Sequence, residues 1–145
     1  MLNSLLKFAD DTKLFGVVDN VAQHDQLQRD LCTIVEWSRT WQMEFNVDKC
    51  NVLHFGNEKN GMEYCMGNKS LKCVSMEKDL GVIITEDLKV ASNCQAAYGK
   101  ASRALGMIRR NIVFKSREIL LPLYKSLVRP LVEYCTPAWS PHYHN

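Results

Sequence analysis

Leu5-Leu6-Lys7-Phe8-Ala9-Asp10-Asp11-Thr12-Lys13-Leu14-Phe15-Gly16-Val17-Val18 decides how this chain is read. Two adjacent carboxylates stand between two apolar runs. Residues 4–18 therefore read as strand, acidic turn and strand, a β-hairpin able to present carboxylates to a metal ion. A double Asp by itself also fits a solvated turn or a helix cap, so the meaning of Asp10 and Asp11 depends on the rest of the chain.

The chain has 145 residues, 46% of them hydrophobic and 23% charged, enough for a domain-sized core. No stretch approaches the roughly 20 consecutive apolar residues of a membrane span, and Met1-Leu2-Asn3-Ser4-Leu5-Leu6-Lys7 is too short and too weakly apolar for a signal peptide. The expectation is a soluble intracellular protein with no membrane partner, nucleus or cytoplasm left open. Six cysteines (Cys32, Cys50, Cys65, Cys73, Cys94, Cys135) form no C-x-x-C pair, and the four histidines make no zinc-type spacing with them. Reduced, mostly packed thiols are expected.

Charge is unevenly distributed. Residues 1–99 hold 10 Lys/Arg against 14 Asp/Glu, whereas residues 100–145 hold 8 against 2. The acidic part contains the candidate metal tip. The basic part, densest at Lys100, Arg103, Arg109, Arg110, Lys115 and Arg117, can attract phosphate or form a plain solvated helix face.

Asp19-Asn20, with Gln23 three residues on, offers a helix start. Leu27, Leu31, Ile34, Val35, Ser38 and Trp41 follow helical spacing, so a helix is expected from about Val21 to Trp41 or Gln42, with Trp37 and Trp41 in the core. Phe45–Lys49 reads as a loop, Val52–Phe55 as a strand ended by Gly56, and residues 57–70 as a hairpin or loop. Leu71–Val74 and Leu80–Ile84 read as further strands. Beyond Asp87 the pattern turns helical, with Cys94, Ala97, Ala101, Leu105 and Ile108 at three- and four-residue steps. A second helical segment runs from about Ser116 to Val128, to be kinked or ended by Pro130, and the tail Thr136–Pro141 reads as irregular. The class is α+β, with a boundary expected near residues 85–92.

Four segments, in order, resemble one family. Phe8-Ala9-Asp10-Asp11-Thr12-Lys13-Leu14 resembles the hairpin that carries the catalytic acid pair of reverse transcriptases, in the form found in non-LTR retrotransposons (LINE elements). Trp41-Gln42-Met43-Glu44-Phe45-Asn46-Val47-Asp48-Lys49-Cys50-Asn51-Val52-Leu53-His54-Phe55 is similar to their Trp-x-Leu-x-Leu-Asn-x-x-Lys-Thr segment, with Met43, Phe45 and Cys50 in place of the commoner Leu, Leu and Thr. Asp79-Leu80-Gly81-Val82-Ile83-Ile84 resembles their Tyr-Leu-Gly-Val strand. Leu123-Tyr124-Lys125-Ser126-Leu127-Val128-Arg129-Pro130-Leu131-Val132-Glu133-Tyr134, followed by Trp139-Ser140-Pro141, resembles the helical region beyond the palm in Jockey- and CR1-like elements.

The resemblance implies an RNA-directed DNA polymerase: a partial palm over residues 1–88, made of a β-hairpin, a helix and small antiparallel strands, then a helical thumb-like region over 89–145. It implies nucleotidyl transfer with two Mg²⁺ ions about 3.5–4 Å apart. Asp10 would be a metal ligand and Asp11 a second, weaker one. Lys49 would face the leaving pyrophosphate. Phe8 and Ala9 would shape the hairpin beside the primer terminus, Leu80 and Gly81 would lie near the primer backbone, and Arg103, Arg109 and Arg110 would contact the RNA template and DNA primer. The family's palm also uses an aspartate on an earlier strand and the nucleotide-binding fingers. Only nine residues precede Asp10 and none is acidic, so the expectation is a C-terminal palm-and-thumb fragment, inactive by itself. A non-catalytic nucleic-acid-binding module and a non-functional transposon remnant are the alternatives.

Overall fold

The computed structural model describes residues 3–56 and 62–140. The fold is a mixed α+β arrangement of short strands and helices, and contacts divide it into two compact units, Met1–Val74 and Ser75–Asn145.

In the first unit, β1 (Ser4–Phe8) pairs antiparallel with β2 (Asp11–Phe15), Phe8 opposite Asp11, leaving Ala9-Asp10 as a two-residue loop. Such a loop matches the strands' right-handed twist only with positive φ at its first central residue, and Ala9 takes φ 52°. Side chains alternate across the hairpin. Leu14 packs into the core on one face, while Leu6, Phe8 and Phe15 on the other are exposed. The following helix, α1 (Val21–Thr40), starts where the sequence places it: the Asn20 side chain accepts from the Gln23 amide at 2.9 Å, and the Gln23 side chain accepts from the Asp19 amide at 2.6 Å. Leu27, Leu31 and Val35, four residues apart, meet the buried Tyr64 and Met66. Buried Asp30 is satisfied by Asn3 Nδ2 at 2.8 Å and Gln26 Nε2 at 3.0 Å.

A 3-10 turn, Val47–Lys49, replaces part of the expected loop and leads into β3 (Asn51–Leu53), shorter than expected. Of the segment read as a hairpin or loop, residues 57–61 lie outside the described residues. The remainder forms a small hairpin of β4 (Cys65–Met66) and β5 (Lys69–Ser70). β6 (Lys72–Val74) then pairs with β3 in parallel. The small strands are thus not all antiparallel, because the chain between β3 and β6 is long enough for the crossover that parallel pairing requires. Trp37 and Trp41 are exposed at 45% and 64% rather than packed. Trp41 lies beyond the helix end, and the Lys7 ammonium sits over the Trp37 ring, 5.4 Å from its centroid.

In the second unit, β7 (Met76–Asp79) and β8 (Val82–Thr85) form an antiparallel hairpin. Leu80 and Gly81 are its turn, not part of a strand, and their φ values of 44° and 89° have the signs of a type I′ turn. Buried Asn93 accepts from the Ile83 amide at 3.1 Å, tying β8 to α2 (Ala91–Asn111). Ala101 and Ile108 of α2 are buried with Val128, and Leu120, Leu123 and Leu131 pack around them. The second helical segment runs without a break in sequence but changes type: α3 (Arg117–Leu123), a π-helical segment Tyr124–Val128, and α4 (Arg129–Glu133). Pro130 does not end it. The wider π turn precedes the proline, which stands in the first turn of α4, where its missing N–H is tolerated. Thr136–Trp139, expected to be irregular, is a short helix, α5.

All six cysteines are free, and Cys32, Cys65, Cys73 and Cys135 are exposed, so the expected packing of the thiols fails for these four. Among the described residues, no helix is long and apolar enough to cross a membrane.

Candidate functional site

The hairpin of the first unit delivers its acids to the surface. Phe8 ends β1, Ala9 and Asp10 make the turn, and Asp11 begins β2. Phe8 is 63% exposed and both carboxylates are exposed. The two acids are inequivalent by construction: Asp11 shares the outer, solvent-facing side of the hairpin with Phe8 and Leu6, whereas Asp10 belongs to the loop. A non-glycine residue at positive φ stores strain, and such positions concentrate at functional turns. Ala9 is the residue so held beside the acid pair.

Carboxylate oxygens are the hard donors that Mg²⁺ takes, and Mg²⁺ is ordinarily held by one or two carboxylates together with water and substrate phosphates. Asp10 and Asp11 fit that partial role. Among the described residues, no group of three or more His, Cys, Asp or Glu side chains could by itself enclose a metal ion. Lys49 stands on a different element, the last residue of the 3-10 turn, exposed and joined to neither carboxylate by a hydrogen bond or ion pair. Asn46 organises that turn, its side chain accepting from the Asp48 amide at 3.2 Å and its carbonyl from the Lys49 amide at 3.0 Å.

In the second unit, the Leu80-Gly81 turn is occupied from within. Tyr134 donates a 2.7 Å hydrogen bond from its hydroxyl to the Leu80 carbonyl, and a Cβ on Gly81 would meet the Tyr134 ring at 3.0 Å. The space left by the glycine admits this ring. Trp139 Nε1 donates to the Tyr134 carbonyl at 2.7 Å and steadies it. The sequence places Tyr134 at the end of the segment that resembles the helical region but gives it no role, since nothing local marks it as a partner of a turn so distant along the chain.

The structure brings Arg103, Arg109 and Arg110 together. With Gly106 and Lys115 they line an open groove of about 550 Å³ along the second half of α2. Helical geometry explains the grouping: positions three and four apart share a face, and Gly106 lies between Arg103 and Arg109 at such a step. A Cβ on Gly106 would have nothing within 4 Å, so the groove floor is open there. Among the described residues, none of the four cations makes an ion pair, in contrast to Arg129, whose guanidinium is bonded to Glu133 at 2.7 Å. Sequence reasoning named Lys115 in the basic stretch but missed Gly106, although the regular spacing of Arg103, Gly106 and Arg109 carried the signal.

Comparison of the chain with protein-family models, with curated proteins and with solved structures finds no match.

Proposed function

We propose that this chain supplies palm and thumb parts of an RNA-directed DNA polymerase of the non-LTR retrotransposon type. The observation that carries the reading is the Phe8-Ala9-Asp10-Asp11 hairpin, whose two-residue turn leaves both carboxylates in solvent. Its support comes from the three further segments that follow in the family's order. In this reading Asp10 is the principal metal ligand, Asp11 the weaker one, and Lys49 the cation for the leaving pyrophosphate. Bound Mg²⁺ would neutralise charge on the transferring phosphoryl group. The chain's own contribution is to hold Asp10 in a two-residue turn, with Phe8 and Ala9 at the hairpin's end beside the primer terminus. Leu80 and Gly81 would meet the primer through the exposed side of their turn, and Arg103, Arg109 and Arg110 would meet template–primer phosphates. A further carboxylate and the nucleotide pocket would come from outside these segments.

Two measurements test this. In the isolated chain, titrated Mn²⁺ should broaden the amide resonances of Phe8 to Asp11 first, and Asp10→Asn with Asp11→Asn should abolish the effect. Unchanged broadening in that variant would remove the metal role. Joined to fingers and an upstream palm strand from an intact element, the chain should extend a primer on RNA. There Asp10→Asn should cost orders of magnitude in rate, since metal charge stabilisation is worth several kcal/mol, and Asp11→Asn should cost less. Near-normal extension by the Asp10 variant would refute the assignment.

A non-catalytic nucleic-acid-binding module is the second reading. The groove of unpaired cations on α2 favours it, because that feature needs no metal and no first-unit residue.

A further inference from the structure

The loop between α2 and α3 exposes two consecutive large apolar side chains. Val113 is 83% and Phe114 79% exposed, so neither contributes to the core of the unit that carries them. Lys115, the next residue, lines the basic groove with Arg103, Gly106, Arg109 and Arg110. The nearest acid along the chain, Glu118, is engaged by the Ser116 side chain and by its own backbone amide rather than by a groove cation.

Four uncompensated cations lining one concavity repel one another and attract an anion of matching length. From Arg103 to Arg110 they extend over about 10 Å of helix axis, a linear track rather than a point site. A nucleic-acid strand carries its phosphates in a line, which matches a linear run of cations. The exposed Phe114, the residue before Lys115 in the chain, adds a second requirement. A phenylalanine ring gains from contact with the face of a planar base, and base faces are accessible in an unpaired strand but covered in a duplex.

We propose that this groove binds single-stranded nucleic acid, with Arg103, Arg109, Arg110 and Lys115 on the phosphates and Phe114 stacked against an unpaired base. The inference rests on the nucleic-acid part of the reading above and narrows it, placing the unpaired stretch of a strand, rather than the paired template–primer, on these cations. It needs no metal and no catalysis.

The test is fluorescence anisotropy with the full chain, a labelled oligothymidylate and a blunt duplex of equal length, at matched salt. The oligothymidylate should bind more tightly. Phe114→Ala should weaken it roughly ten-fold and leave duplex binding unchanged, because base–aromatic stacking contributes on that scale. Phe114 is exposed, so its truncation leaves the core intact. Phe114→Trp should retain the affinity and add a fluorescence signal quenched by the oligonucleotide. Replacing Arg109 and Arg110 by Ala should weaken both forms and flatten the salt dependence, by about 0.7 in log–log slope per lost single-strand phosphate contact. Equal binding of duplex and single strand, or equal loss from both in Phe114→Ala, would overturn the inference and leave general phosphate binding standing. Absence of binding to either at low salt would overturn both. Preferential binding of the chain to phosphatidylserine vesicles over the oligonucleotide would assign the loop to a lipid surface and overturn the proposal.

Discussion

The hydroxyl of Tyr134 reaches back to the carbonyl of Leu80 at 2.7 Å, and its ring takes up the room that Gly81 leaves. One aromatic side chain thereby fixes the hairpin β7–β8 against the end of the helical segment. Tyr134→Phe should lose the hydrogen bond and keep the ring, at a cost of about 0.5–1 kcal/mol for a partly exposed bond. Gly81→Ala should cost more, about 1–3 kcal/mol, because it adds backbone strain at φ 89° to a contact with the ring. In a Tyr134→Ala background the Gly81→Ala penalty should shrink, leaving the strain alone. Urea unfolding of the four variants measures this coupling, and strict additivity would show that ring and glycine act independently.

Leu80 occupies the first central position of a type I′ turn at φ 44°, a conformation that suits Asn and strains Leu. Leu80→Asn should therefore raise stability, by about 1 kcal/mol on the scale of such backbone strain. The Leu80 carbonyl, which receives the Tyr134 hydroxyl, is unaffected by the change. Thermal unfolding followed by circular dichroism checks it; a lower midpoint would mean that apolar contact of the Leu80 side chain outweighs the strain.

Asp87 organises the turn between β8 and α2. Its carboxylate accepts from Thr85 Oγ1 at 2.7 Å and from the Lys89 amide at 3.2 Å, with the Lys89 ammonium at 3.1 Å. These contacts, the Thr85 hydroxyl first, hold its pKa down at about 2, against an ordinary 3.8. Since the folded chain favours the carboxylate, the turn's contribution is complete above the unfolded value and is lost as pH falls from about 4 towards 2. The Asp87 carboxyl resonance should titrate near the lower value, and Asp87→Asn should show a flatter acid limb. A carboxyl titrating at its ordinary pKa would contradict the geometry.

The thiols should divide by accessibility. Cys32, Cys65, Cys73 and Cys135 are exposed and should react quickly with an aromatic disulfide reagent at neutral pH. Burial pushes the Cys50 thiol up from its ordinary pKa, so it holds less reactive thiolate and should react last. Peptide mapping after a short reaction gives the order, and early labelling of Cys50 would contradict it.

What could be read from the sequence was local. The start of α1 was legible because Asn20 and Gln23 lie within four residues of each other, and its buried face because leucines recur at helical steps. The acidic hairpin was legible because its turn carries the charges. The parallel pairing of β3 with β6 was not, since short apolar strands carry no mark of partner or direction. Leu80-Gly81 passed for strand because its apolar run continues into Val82, and the tyrosine that closes on it is 54 residues away. The π-helical segment was hidden for another reason: a proline announces a disturbance, and only packing decides whether the chain kinks or widens.

The β3–β6 pairing also sets an order of events in time. Asn51 finds its partner only at Lys72, so the first unit cannot complete its core until the ribosome has synthesised nearly all of it, and Leu14 and Leu31 must wait uncovered meanwhile. The hairpin β7–β8, by contrast, closes between neighbours and can form as soon as it is made. Separation along the chain slows closure, so the β3–β6 pairing, although its strands are synthesised earlier, is expected to close more slowly than the β7–β8 hairpin.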